Sequence, residues 1–249
     1  MQTLPDITVF PQKVLAAPGA LGQLPAEAHT FGARGIVVHG RTLAQSGALR
    51  AHFSKTPVGM DILMYAHEGG EPTLAQADCL LTQARLHRAN WIAGVGGGSV
   101  MDMAKTAAGL FNASQRIARY HDGAALETPG IPFLAVPTTA GTGAEATLNA
   151  VLTNTKTGQK KSIRDFSLMA RVALLDPELT AFCSPTVIAH SGMDAITQAI
   201  EAFTSRKATT LSDTFSLEGL RLLARNMEAF HSAPKGGAAA AMLYGSFLA

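Results

Sequence analysis

The sequence predicts an α/β nucleotide-binding domain over residues 1–180, followed by a partial all-helical domain over residues 181–249. Three observations carry this expectation. Short apolar runs alternate with stretches of helical period as far as Asp176-Pro177. Two of those runs end in glycine-rich loops, Gly94–Asp102 and Pro137–Glu145. Beyond Pro185 every apolar pattern is helical.

Taken in order, the N-terminal MQTLPDITVFPQK has no basic start and no long apolar run, so no signal peptide is expected. Phe10–Gly22, with its prolines and glycines, reads as an irregular segment or an edge hairpin. Gly35–His39 is a short buried strand, and Thr42–Phe53 carries apolar positions at Leu43, Leu49 and Phe53. Asp61–Tyr65 is the second strand. Thr73–Arg88 is a helix whose stripe runs Leu74, Ala77, Leu81 and Ala84, widened by Leu80. Trp91–Val95, Pro132–Val136 and Val172–Leu175 complete the strands, and Met101–Leu110 is the helix after the first glycine loop. Strands this short and apolar, separated by helices, belong in a parallel sheet. The last part holds helices at Met193–Thr204, Leu211–Phe230 and Gly237–Ala249, with Ser191-Gly192 as the start of the first.

Composition narrows the class. A chain of 249 residues, 47% hydrophobic with 15% charged, can bury a substantial core. Its net charge of +2 argues against nucleic acid and anionic membranes, the one basic cluster being Lys156, Lys160 and Lys161. No apolar stretch is long enough to span a bilayer. Cys79 and Cys183 are far apart and read as free thiols of a reducing cytoplasm.

The two loops carry the functional signal. In Trp91-Ile-Ala-Gly-Val-Gly-Gly-Gly-Ser-Val-Met-Asp-Met-Ala-Lys105 a strand runs through three consecutive glycines into a helix. Without Cβ atoms the backbone can approach a ligand closely, and the helix N-terminus behind it offers N–H donors to a phosphate. In Val136-Pro-Thr-Thr-Ala-Gly-Thr-Gly-Ala-Glu-Ala146, Thr138, Thr139 and Thr142 supply hydroxyls while Gly141 and Gly143 keep the surface low. Two such loops at strand carboxyl ends are the usual walls of a ligand crevice.

GGGSVMDMAK, PTTAGTGAEAT, Asp176-Pro177-Glu178-Leu179-Thr180 and Gly192-Met-Asp-Ala-Ile-Thr-Gln-Ala-Ile-Glu-Ala202 together resemble the iron-containing (group III) alcohol dehydrogenase family, a dehydroquinate synthase-like fold. The resemblance implies a nucleotide-binding α/β domain, a metal-holding helical domain and a catalytic cleft between them. It assigns Gly97, Gly98 and Ser99 to the cofactor pyrophosphate, with Asp102 close by, and Thr138, Thr139 and Thr142 to its phosphate and nicotinamide side. Val151, Lys160 and Leu179 match further cofactor-contacting positions, Lys161 being an alternative to Lys160. Where many members have an aspartate for the ribose hydroxyls this chain has Gly40, followed by Arg41. Removing the carboxylate and adding a guanidinium suits a 2′-phosphate, so NADP is expected over NAD.

The metal centre is where the pattern departs. The family's first two ligands are an Asp and a His one helical turn on. Asp194 holds the first place and Gln198 the second, where an amide is a poor substitute for imidazole at iron or zinc. The two later histidines fall past Ala249. His190 and Glu201 share the neighbourhood and read as ordinary cleft or surface residues. No residue is singled out as catalytic. The expected function is NAD(P)-dependent interconversion of a small-molecule alcohol and an aldehyde or ketone. The alternative is a non-catalytic nucleotide-binding protein without the metal. A homo-oligomer is expected, because Leu211, Phe215, Leu220, Leu222 and Leu223 would lack the helices that cover them in the family.

Overall fold

A computed structural model describes residues 8–42, 47, 49, 53 and 56–249; most of the Thr42–Phe53 segment, and residues 1–7, lie outside them. The main sheet is built from β1 (Lys13–Ala16), β2 (Arg34–Gly40), β3 (Asp61–His67), β4 (Trp91–Gly96), β5 (Phe133–Pro137) and β8 (Val172–Leu175). Their spatial order is β1-β8-β5-β4-β2-β3, and every pairing is parallel. Its helices are α1 (Leu24–His29), α2 (Leu74–Leu86), α3 (Gly98–Gly109) and α4 (Ile117–His121).

Burial on both faces explains the apolar runs. In β2, Ile36 and Val38 face a core shared with α2 and α3, while Val37 faces the opposite core with Trp91, Leu134 and Leu174. A central strand must therefore be apolar at successive positions, and β4 and β5 are buried throughout. From β2 the chain first adds β3 on one side and then crosses to place β4 on the other. The carboxyl ends of β2 and β4 thus diverge into a crevice.

Two elements escape a reading of the sequence. Phe10–Gly22 is neither irregular nor a hairpin, because Lys13–Ala16 joins the sheet edge parallel to Val172–Leu175. A side chain remote in sequence holds this edge. The buried Asp176 carboxylate accepts N–H bonds from Gly19 (3.1 Å), Leu21 (3.0 Å) and Glu178 (3.1 Å). The second is an antiparallel hairpin, β6 (Asn149–Asn154) with β7 (Gln159–Arg164). Ala150, Leu152 and Ile163 pin it to the α2/α3 core, and the polar QKKSIR strand conceals it in the sequence.

Beyond the sheet lie α5 (Pro185–Thr204), α6 (Thr210–Ser232) and α7 (Gly236–Leu248). Ser191-Gly192 is not a helix start but the middle of α5. The start is Ser184, whose hydroxyl caps Val187 ahead of Pro185. Gly192 serves close packing, since a Cβ there would lie 2.4 Å from the Met227 sulfur. The expected uncovered leucine patch is covered in part, Leu211, Phe215, Leu220 and Leu222 being half-buried. Leu223 is fully buried among Ile188, Met242 and Leu243, and Phe215 meets the Phe10 ring edge-on at 5.4 Å. α7 supplies much of that cover. Among the described residues no helix is long and apolar enough to cross a membrane.

Replacing Asp176 by Ala strands three backbone donors, two of them tying the edge strand. Asp176→Ala is expected to lower unfolding free energy by about 3 kcal/mol in a urea titration. A loss below about 1 kcal/mol would contradict this role.

Candidate functional site

Three long helices begin with side-chain caps: Thr73 on α2, Ser184 on α5 and Thr209 on α6. α3 begins at Gly97 with no side-chain cap. The Val100 and Met101 N–H groups donate to the Gly97 carbonyl, and the Gly98 and Ser99 N–H groups with the positive end of the dipole are left to an external acceptor. The glycines there sit in close contact with their neighbours. A Cβ on Gly96 would lie 2.6 Å from Val100, one on Gly97 3.2 Å from Thr139 and one on Gly98 3.1 Å from Thr142. The two loops read from the sequence therefore interlock, glycine against threonine.

They open on a cavity of about 390 Å³ at the divergence of β2 and β4. Gly40, Gly97, Thr138 and Thr139 line it, as expected residues; Thr42, Phe182, Cys183, Ser184 and Val187 line it as well. Thr42 follows β2, and the other four come from the turn into α5, which carries no glycine-rich signature. Cys183 donates its S–H to the Thr138 carbonyl (3.1 Å), and burial pushes its thiol up to about 11. It is a packed thiol, not a reactive one. Arg41 is exposed beside the turn after β3, where a Cβ on Gly69 would lie 3.1 Å from its Nη2.

A second group gathers below the first loop. Burial pushes the Asp102 carboxylate up to about 6 against the pull of nearby Lys105 and of the Val151 backbone N–H. Lys160 reaches this region from β7 and pairs with Glu71 at 2.7 Å. Lys161 turns away to Asp122 at 3.2 Å. Ser99 and Thr142 flank the interlocked loops without lining the cavity, and Leu179 is 3% exposed within the hydrophobic core.

Sequence reasoning passed over Lys105 and Glu145. Lys105 is fully buried and spends its ammonium on Thr147 O (2.8 Å), Thr147 Oγ1 (2.7 Å) and Asn149 O (3.1 Å). Burial holds it down at about 8. Glu145 is 2% exposed, its Oε1 has no partner among the described residues, and burial pushes it up to about 7. A lysine one turn after Asp102 in the mostly apolar Met101–Leu110 stretch was the available signal.

The donor set on α5 does not fit an iron or zinc centre. Gln198 Nε2 donates to Asp194 Oδ2 at 2.7 Å, so the amide turns a donor toward the carboxylate. Among the described residues no three His, Cys, Asp or Glu side chains come together to hold a metal. His190 and Glu201 are exposed on the same helix.

Comparison with known proteins adds the following. The family model "Iron-containing alcohol dehydrogenase" matches residues 11–177, and that of the Fe-containing alcohol dehydrogenase C-terminal region matches 188–249. A sulfoacetaldehyde reductase of Bilophila wadsworthia is 32% identical over 96% of this chain and 62% of its own length. A long-chain-alcohol dehydrogenase of Geobacillus thermodenitrificans is 35% identical over 88% of this chain and 56% of its own. The crystal structure of sulfoacetaldehyde reductase from Bifidobacterium kashiwanohense in complex with NAD+ superposes with a TM-score of 0.92 at 28% identity, covering 99% of this chain and 66% of that one. The chain thus spans about three fifths of the length of these curated relatives.

The buried cluster has a pH signature. Raised values for Glu145 (4.5 to about 7) and Asp102 (3.8 to about 6) mean the folded chain keeps protons that the unfolded chain releases. Stability from these groups falls as pH rises through those windows. Lys105, lowered from 10.5 to about 8, works the other way, and stability recovers as pH rises between those values. Glu145→Gln is expected to make the decline between pH 4.5 and 7 shallower by about 1–2 kcal/mol, read from urea midpoints across pH. An unchanged slope would remove Glu145 from this account.

Proposed function

The chain belongs to the iron-containing alcohol dehydrogenase family, and on that premise we propose that it is an NAD(P)-dependent oxidoreductase interconverting an alcohol and an aldehyde or ketone. The observation that carries this reading is the uncapped N-terminus of α3 at Gly97, interlocked with the threonine loop and opening on the cavity between β2 and β4. In it the N–H groups of Gly97, Gly98 and Ser99 take the pyrophosphate. Thr138, Thr139 and Thr142 bound the path toward the nicotinamide, and Asp102, Val151 and Lys160 form its far wall. Leu179 supports the floor from within the core. The bound nicotinamide supplies or takes up the hydride; Phe182 and Val187 keep that part of the cavity apolar and restrict water. Residues 1–180 would be the cofactor-binding unit and residues 181–249 part of the helical one.

Cofactor choice falls to the end of β2. Gly40 leaves room where a carboxylate would repel a 2′-phosphate, and the exposed Arg41 guanidinium can bind one. Fluorescence titration is expected to give at least tenfold tighter binding of NADPH than NADH, with Gly40→Asp reversing the order. A screen of aldehydes with the preferred cofactor then tests turnover. A clear NADH preference overturns the NADP assignment. Binding without turnover selects a second reading, a non-catalytic nucleotide-binding protein, which the Asp194–Gln198 pairing favours.

The chain is also proposed to form a homo-oligomer. Met193, Ile200 and Phe203 stand 42–54% exposed on α5, an apolar face of one helix. Light scattering is expected to give at least a dimer, and a clean monomer at micromolar concentration would contradict this.

A further inference from the structure

The amino end of the sheet carries a cavity of its own. About 400 Å³ in volume, it is lined by Arg34 at the start of β2, Arg85 on α2, Arg88, Ala89 and Asn90 between α2 and β4, and Phe111 just after α3. Gly40 lines the cofactor cavity, so the two cavities lie at opposite ends of β2. The Arg85 guanidinium is fixed by the carbonyls of Phe111 (2.8 Å), Leu110 (3.1 Å) and Ala113 (2.7 Å). Asn90 Oδ1 accepts the Arg34 N–H at 3.1 Å, which leaves its amide nitrogen to donate. Three guanidiniums thus share one recess with no carboxylate in its lining, in a chain whose net charge is only +2. Arg34 and Arg88 form no ion pair among the described residues. Asp61 stands opposite Arg34 on β3, yet it does not line the cavity.

The backbone points the same way. α2 ends in a Schellman turn, in which the Arg88 N–H donates to Arg85 O and the Ala89 N–H to Ala84 O, both at 3.0 Å. Such a turn needs a left-handed residue and ordinarily takes glycine. Here Arg88 adopts φ +53, and it is the one non-glycine residue with positive φ among the described residues. The arginine costs backbone energy there, and no contact of its guanidinium within the described residues offsets it. We propose that this recess is an anion site, separate from the cofactor cavity, that takes the phosphate group of a small molecule. Arg34 and Arg88 bring the charge and the forked donors that phosphate oxygens match. Arg85 forms the fixed base of the recess and Phe111 its apolar wall. Nothing in this assignment depends on the oxidoreductase reading.

Calorimetric titration of the full chain with sodium pyrophosphate is expected to show saturable binding that weakens as sodium chloride is added. Arg88→Gly removes the guanidinium and suits the positive φ, so its melting temperature without ligand is expected to equal or exceed that of the unsubstituted chain. Its affinity for pyrophosphate is expected to fall about tenfold. Arg34→Gln, an exposed substitution on the other side of the recess, is expected to give a loss of the same size. Pyrophosphate affinity unchanged in both variants overturns the proposal, because the anion then binds at the glycine loops or at no defined place. Absence of saturable binding to the unsubstituted chain overturns it as well.

Discussion

A single buried ammonium organises the candidate site. Lys105 extends from α3 across the interior and gives its protons to Thr147 and Asn149, at the junction between the threonine loop and β6. The helix behind the first glycine loop is thereby tied to the exit of the second. Taking a lysine out of water is costly, and three good acceptors are what make it tolerable. With that tie in place the glycines of one loop lie against the threonines of the other, so closely that a Cβ on Gly97 or Gly98 would crowd Thr139 or Thr142. The tie also explains the position of the hairpin, whose first strand leaves the loop directly and presents the Val151 N–H to Asp102.

Around this tie the fold follows from demands of burial. A parallel sheet covered on both faces needs strands apolar at every position, and β4 and β5 meet that need, as does the Ile36–Val38 centre of β2. The helical part has its own core around Ile188, Leu223, Phe230 and Met242. It joins the sheet where Leu175, the end of β8, enters that same cluster. The cavity lies at this seam, with two walls from glycine-rich loops and a third from the turn into α5.

What could be seen in the sequence divides along the same line. Strands buried on both faces announce themselves as apolar runs, and phosphate-cradling loops as glycines between strand and helix. β1 is short and mostly exposed, held by an aspartate far along the chain, and local pattern has no access to such a bond. β7 is mostly exposed, so QKKSIR carries no apolar alternation to betray it. Ser191-Gly192 misled for a different reason: glycine there answers to Met227 across a helix interface, not to the local backbone. Among site residues, Gly97, Thr138 and Thr139 were legible because their chemistry is local. Phe182, Cys183 and Val187 were not, since an ordinary helix start brings them to the cavity.

Gly143 bears on how the two parts of the chain influence each other. It adopts φ +57 in the threonine loop, and a Cβ there would lie 2.8 Å from the Ser246 carbonyl of α7. The loop is therefore pressed against the last helical turn with no compressible side chain between them. A ligand that orders the loop also raises the free energy needed to detach α7, and fraying of α7 loosens the loop by the same amount. Amide exchange at the carboxyl end of α7 thus becomes a remote gauge of occupancy at the glycine loops.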